Sequence, residues 1–187
     1  LALDLTHGEG SKDLALTGTA TLDLAGRPAL RASLSGRRVD LDVLRERMRE
    51  GALGLRAPAL LAQLPLRLDL SLEALAVAGE EFGPLSAALN RDGDVLALSR
   101  FDLGLPGETR VAARGEGLIP LSGPKEDLSG TGSISLDSGQ PLMLARALVR
   151  MGASQSFAEA LANLPRLSVS AELALDHGSI AARNIAV

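Results

Sequence analysis

The sequence has no cysteine, no tryptophan and no tyrosine. Without cysteine there is no disulfide, no Cys-ligated metal and no thiol nucleophile. The cellular compartment stays open on this ground, because exported chains also dispense with Cys. Phenylalanine occurs only at Phe82, Phe101 and Phe157. A surface that stacks single-stranded nucleic acid needs aromatic platforms. A formal net charge of −4 also has the wrong sign for a phosphate footprint, so no nucleic-acid partner is expected. No run approaches the roughly 18 apolar residues of a membrane helix, and no signal peptide is visible.

What remains is aliphatic. Leu and Ala dominate a hydrophobic fraction of 46%, against 22% charged residues, a globular balance rather than a disordered one. The 187 residues suffice for one ordinary domain or two small ones. The chain starts at Leu1 without Met and stops at Val187 inside an apparent strand. It reads as one excised segment of a longer chain, 1–187.

The clearest local pattern is Leu66–Leu72. Leucines at 66, 68, 70 and 72 alternate with Arg67, Asp69, Ser71 and Glu73. A strand sends successive side chains to opposite faces, so the four leucines share one face. The same phase recurs in most of the chain. Leu14–Leu24 places Leu22 and Leu24 on one side and threonines on the other. After a turn at 26–28, Ala29–Ser35 returns with Leu30 and Leu34 inward. Further strands are predicted at 85–90, 95–99, 101–105, 109–116, 128–137, 167–175 and 179–187. These add Leu103, Val111, Ile134, Leu136 and Val169 to the apolar set. The apolar phase changes from even (Leu96, Leu98) to odd (Phe101, Leu103, Leu105), which predicts a bulge near Arg100.

Helical spacing interrupts this pattern near 42–50, 58–63, 141–151 and 156–163. Asp42 is the expected cap of the first. Pro58 suits the first position of the second, and Pro141 opens the third, with Leu144, Leu148 and Met151 on one stripe and Gly152 as its stop. In the fourth, Ser156 to Glu159 has capping-box spacing, and Phe157, Leu161 and Leu164 form the expected buried face. The fold class is mainly β with short helices: a curved antiparallel sheet with helical insertions. Two sub-repeats are read, approximately 14–116 and 128–187, joined by connector 117–127. Leu16–Leu22 resembles Leu128–Ile134, and each copy continues through a helical segment to a Leu-Pro pair (Leu64-Pro65, Leu164-Pro165) before an alternating strand.

These features together resemble the AsmA family and its TamB-related relatives. The resemblance rests on Gly26–Ala32 leading into Val39–Leu44. It also rests on Leu64-Pro65 before Leu66–Leu72 with the meander 82–117, and on the second start at Leu128–Gly132. It implies a periplasmic protein of Gram-negative bacteria, anchored in the inner membrane through parts of the parent chain not present here. It further implies a β-groove with a hydrophobic inner surface, phospholipid as partner, and a role in lipid transport and outer-membrane biogenesis or homeostasis. The family supplies no catalytic residue to carry over.

Chemistry read from the residues themselves is sparse. His7 and His177 each sit beside Gly and an acid in an expected turn, and nothing pairs them with a nucleophile. Gly130-Thr131-Gly132 lacks the lysine and third glycine of a phosphate loop. Asp23, Asp40, Asp42 and Asp69 fit polar strand positions or caps. No enzyme, metal or cofactor is expected; a hydrolase is the remote alternative. Two readings of the leucine face stay open. Leu66, Leu68, Leu70, Leu72, Leu22, Leu24, Leu30, Leu34, Leu103, Val111, Ile134, Leu136 and Val169 are candidates to face lipid. Alternatively, the helices close over them and make a self-filled aliphatic core, as in a structural or protein-interaction domain. Arg45 and Arg49, in a basic stretch beginning at Arg37, are candidates for headgroup contact or for a solvated helix face.

Overall fold

The computed structural model describes residues 2–7, 14–43, 46, 64–118, 129–176 and 179–186, with the backbone alone at 2–7, 14–15 and 118. Alternation yields strands β1 (Ala2–His7), β2 (Leu14–Asp23), β3 (Ala29–Asp40), β4 (Leu66–Val77), β5 (Glu80–Phe82), β6 (Leu85–Asp92), β7 (Val95–Leu105), β8 (Thr109–Leu118), β9 (Ser129–Ser138), β10 (Leu167–Asp176) and β11 (Ser179–Ala186). Helices α1 (Pro141–Arg150) and α2 (Gln155–Ala162) lie between β9 and β10. The strands form one curved, unclosed sheet in the order β1-β2-β3-β4-β6-β7-β8-β9-β10-β11, with β5 added to β4.

Every pair is antiparallel except β3–β4, which runs parallel. A parallel neighbour needs a crossover, and residues 41–65 supply it. The expected helices 42–50 and 58–63 fall there; residues 41–43 and 46 are helical, and the rest lie outside the described residues. The second helical insertion, by contrast, joins the antiparallel pair β9–β10.

Pairing register shows how the apolar face is kept whole. In five places the apolar phase advances by three residues instead of two: Gly36 to Val39 in β3, Leu72 to Leu75 in β4, Phe82 to Leu85 across β5 and β6, Leu98 to Phe101 in β7, and Ala182 to Ile185 in β11. The register shifts at three of them, opposite Leu14/Leu16, between Leu98 and Phe101, and opposite Ser170/Glu172. The remaining two face each other, since Leu72 pairs with Leu85 and Leu75 with Phe82. The bulge expected near Arg100 is the β7 member of this set.

The closed core sits at one end of the sheet. Val39, Leu72, Leu75, Phe82 and Leu85 are buried together, with Leu70, Phe101, Leu103 and Leu105 packed against them. Helix α1 crosses this end. Its start is tied to the β7–β8 turn, where the Gln140 N–H donates to the Gly107 carbonyl at 2.9 Å. Its end is tied to β5 by an ion pair, Arg150 Nε to Glu80 Oε1, at 2.5 Å. Ten helical residues span about 15 Å, enough to cross from β9 to the β5–β6 line at about 4.8 Å per strand. Leu144 of α1 is 2% exposed.

Three local expectations are corrected. The cap of the first helical turn is Asp40, whose Oδ1 accepts from the N–H groups of Asp42 and Val43, while Asp42 accepts from the Ala78 N–H at 2.6 Å. The N-cap of α2 is Ser154, which accepts from the Phe157 N–H, rather than Ser156. The stripe Phe157–Leu164 is not buried: Phe157 is 53% exposed, and α2 buries Ala158 instead.

Candidate functional site

Strand pairing places the candidate residues on one surface. One row runs Leu22, Leu30, Leu66, Arg91, Leu96, Gly117, Gly130, Leu175, Ile180 from β2 to β11. The next runs Ala20, Ala32, Leu68, Leu89, Leu98, Gly115, Gly132, Leu173, Ala182. A third carries Leu34, Leu70, Ala87, Phe101, Ala113, Ile134 and Ala171, and a fourth carries Leu72, Leu85, Leu103, Val111, Leu136 and Val169. Twelve of the thirteen candidates thus share a face. Leu24 stands apart, beyond the last residue of β2 and 69% exposed. Arg45 and Arg49 lie outside the described residues.

Among the described residues the face is more deeply buried at one end than toward the β11 edge. Leu72 belongs to the buried cluster with Val39, Leu75, Phe82 and Leu85, whereas Leu66, Leu68 and Leu70 are only partly buried. Toward the β11 edge, Ile180 and Ile185 are 75% and 61% exposed.

Two charged residues occupy apolar-face positions among the described residues. Glu80, opposite Val77 at the covered end, is neutralised by Arg150 of α1. Arg91, in the outermost row, donates through Nε to the Gly93 carbonyl at 3.0 Å and has no carboxylate partner among the described residues. Arg91 was missed in the sequence, although Leu85, Ala87 and Leu89 put residue 91 in the apolar phase.

The opposite face is polar and largely satisfied by its own neighbours. Arg110 pairs with Asp102, Arg114 Nε donates to Ser133 Oγ at 3.3 Å, Ser168 Oγ donates to Asp137 at 2.7 Å, and Asn184 Nδ2 donates to Glu172 at 2.6 Å. Three shallow hollows of about 510, 610 and 570 Å³ run along this side of β7–β11. The hollows of this half of the sheet therefore lie on its polar side, while the resemblance implies a hydrophobic inner surface.

No family model, no curated protein and no solved structure matches the chain. The functional argument therefore rests on the two faces. His7, expected in a turn, ends β1 opposite Leu16, and His177 lies outside the described residues. Among the described residues no group of His, Asp and Glu is arranged to hold a metal, and no helix is long and apolar enough to cross a membrane.

Proposed function

We propose that this chain is a non-enzymatic, lipid-handling β-scaffold whose aliphatic sheet face receives acyl chains. The observation that carries the reading is the apolar phase carried from β2 to β11 through five three-residue steps, its side chains most exposed toward β11 among the described residues. Hydrocarbon gains about 0.8 kcal/mol per CH₂ removed from water without any directional contact, so a smooth aliphatic surface is sufficient to hold it. The AsmA resemblance places such a segment in the periplasm, within an inner-membrane-anchored parent that moves phospholipid toward the outer membrane. We carry that setting as part of the proposal.

A second reading is favoured by the buried cluster around Leu72 and Phe82: a structural or protein-interaction domain whose face is filled by its own helices. Native mass spectrometry of the purified chain with added phospholipid separates the two. The lipid reading expects retained phospholipid, lost in Leu68→Asp while the melting temperature falls little. Absence of any bound lipid, with Leu68→Asp unfolding the chain by burying an unpaired charge, sinks it in favour of the second.

A further inference from the structure

The apolar face contains one stretch with no side chains at all. In β8 and β9, Gly115 pairs with Gly132 and Gly117 with Gly130, so four glycines occupy two adjoining rows. All four are demanded by packing. A Cβ at any of them would stand 2.7–2.8 Å from a backbone oxygen of the neighbouring strand, closer than Cβ atoms tolerate. The result is a bare backbone floor two strands wide. Its walls are Leu96 and Leu98 of β7 on one side and Leu173 and Leu175 of β10 on the other. The wall strands are three spacings apart, about 14 Å. Ile134, 37% exposed, stands at the inner end of the floor. Its outer end reaches the row that also carries Arg91, beside Leu96.

We propose that this glycine-floored slot seats the acyl chains of an anionic phospholipid, with the headgroup drawn to Arg91. The inference rests on the lipid-handling reading above and adds a place and a headgroup preference to it. The walls are aliphatic and the floor offers no charge, so the slot favours hydrocarbon lying along the strands. Arg91 is the cation at its mouth, and its charge has no carboxylate to neutralise it among the described residues. A guanidinium matches a phosphate oxygen pair in geometry as well as sign. The other charge on this face, Glu80, is at the far end and already paired. Among the described residues an anionic head is thus attracted to one end of the face, which sets the direction in which the lipid lies.

The absence of tryptophan makes the test direct. Single Leu173→Trp and Leu30→Trp variants are mixed with vesicles of brominated phosphatidylglycerol or brominated phosphatidylcholine, and quenching is read alongside co-sedimentation. The slot predicts stronger quenching at position 173 than at position 30. It also predicts tighter binding to phosphatidylglycerol, with Arg91→Gln losing about fivefold on that lipid alone and Arg91→Lys, which keeps the charge but not the fork, restoring only part of it. Circular-dichroism melts confirm that each variant folds. Equal quenching at the two positions, or an unchanged lipid preference in Arg91→Gln, overturns this proposal and leaves the lipid-handling reading standing. No binding to either vesicle overturns both.

Discussion

Leu68 and Leu72 provide a comparison within one strand. Both are leucines of β4 on the same face, four residues apart. Leu72 is 4% exposed in the buried cluster, and Leu68 is only partly buried. Truncation to alanine removes the same three carbon groups at each, about 2.4 kcal/mol of transfer free energy if fully buried. At Leu72 a cavity term adds to this, because neighbours on all sides relax only in part, giving a loss of about 3–4 kcal/mol. At Leu68 the removed carbons are already partly hydrated and water fills the gap, so the loss is about 1 kcal/mol. For a chain of this size each kcal/mol moves the melting temperature by about 2–4 °C. Leu72→Ala should then melt about 6–16 °C below the parent and Leu68→Ala about 2–4 °C below. Without Trp or Tyr the transitions are followed by far-UV circular dichroism, with urea midpoints compared at constant m-value. Equal losses at the two positions would refute the division of the face into deeply and partly buried parts.

Three further outcomes follow from local contacts. Thr109 and Ser138 are buried and share a 2.7 Å hydroxyl contact; Thr109→Val should cost about 1–3 kcal/mol, and adding Ser138→Ala should recover part of it, because neither hydroxyl is then left facing a lost partner, while the Pro106 carbonyl that Thr109 Oγ1 also serves at 2.8 Å stays unpaired. A double-mutant cycle by urea denaturation checks the sign of that coupling. Gly107 has φ +80, and a Cβ there would meet the Gln140 carbonyl at 2.4 Å; Gly107→Ala should destabilise more than Gly93→Ala, where φ is +59 and nothing lies within 4 Å, and calorimetry of the two variants decides it. Glu80→Gln should loosen the end of α1 with a loss under about 1 kcal/mol, since Arg150 is 57% exposed; hydrogen exchange near residue 150 should accelerate while that of β9 stays unchanged.

Much of the sheet was legible because alternation is a short-range property. The run Leu66–Leu72 needs no partner to declare its two faces, and the phase change before Phe101 announced its bulge. The same three-residue step at Gly36–Val39 was hidden, because Arg37 and Arg38 mask the phase. The parallel direction of β4 was not readable either. It depends on the path of residues 41–65, and a strand's own pattern is the same in both directions. For α2, hydropathy ranks Phe157 above Ala158, but packing on α1 is served by a small residue that lets the helices approach. Asp40 and Asp42 both have capping chemistry, and the end of β3 at Asp40 decides between them. The paired glycines were readable in sequence as 115, 117 and 130, 132; that they face one another required the register.

The three-residue steps give the strongest reason to treat the apolar face as selected surface. A single step in one strand would throw every later side chain to the wrong side. In β3, β4 and the β5–β6 line the steps stand opposite one another, and the steps of β7 and β11 lie in a common row through Gly115, Gly132 and Leu173. A sheet that merely needed a local core could have ended its apolar strands at the bend. Here the aliphatic phase is carried across both bends, past the region that α1 covers and out to Ile180 at the edge. Among the described residues α1 alone does not account for that extent, and this is the feature that the lipid-handling proposal is built to explain.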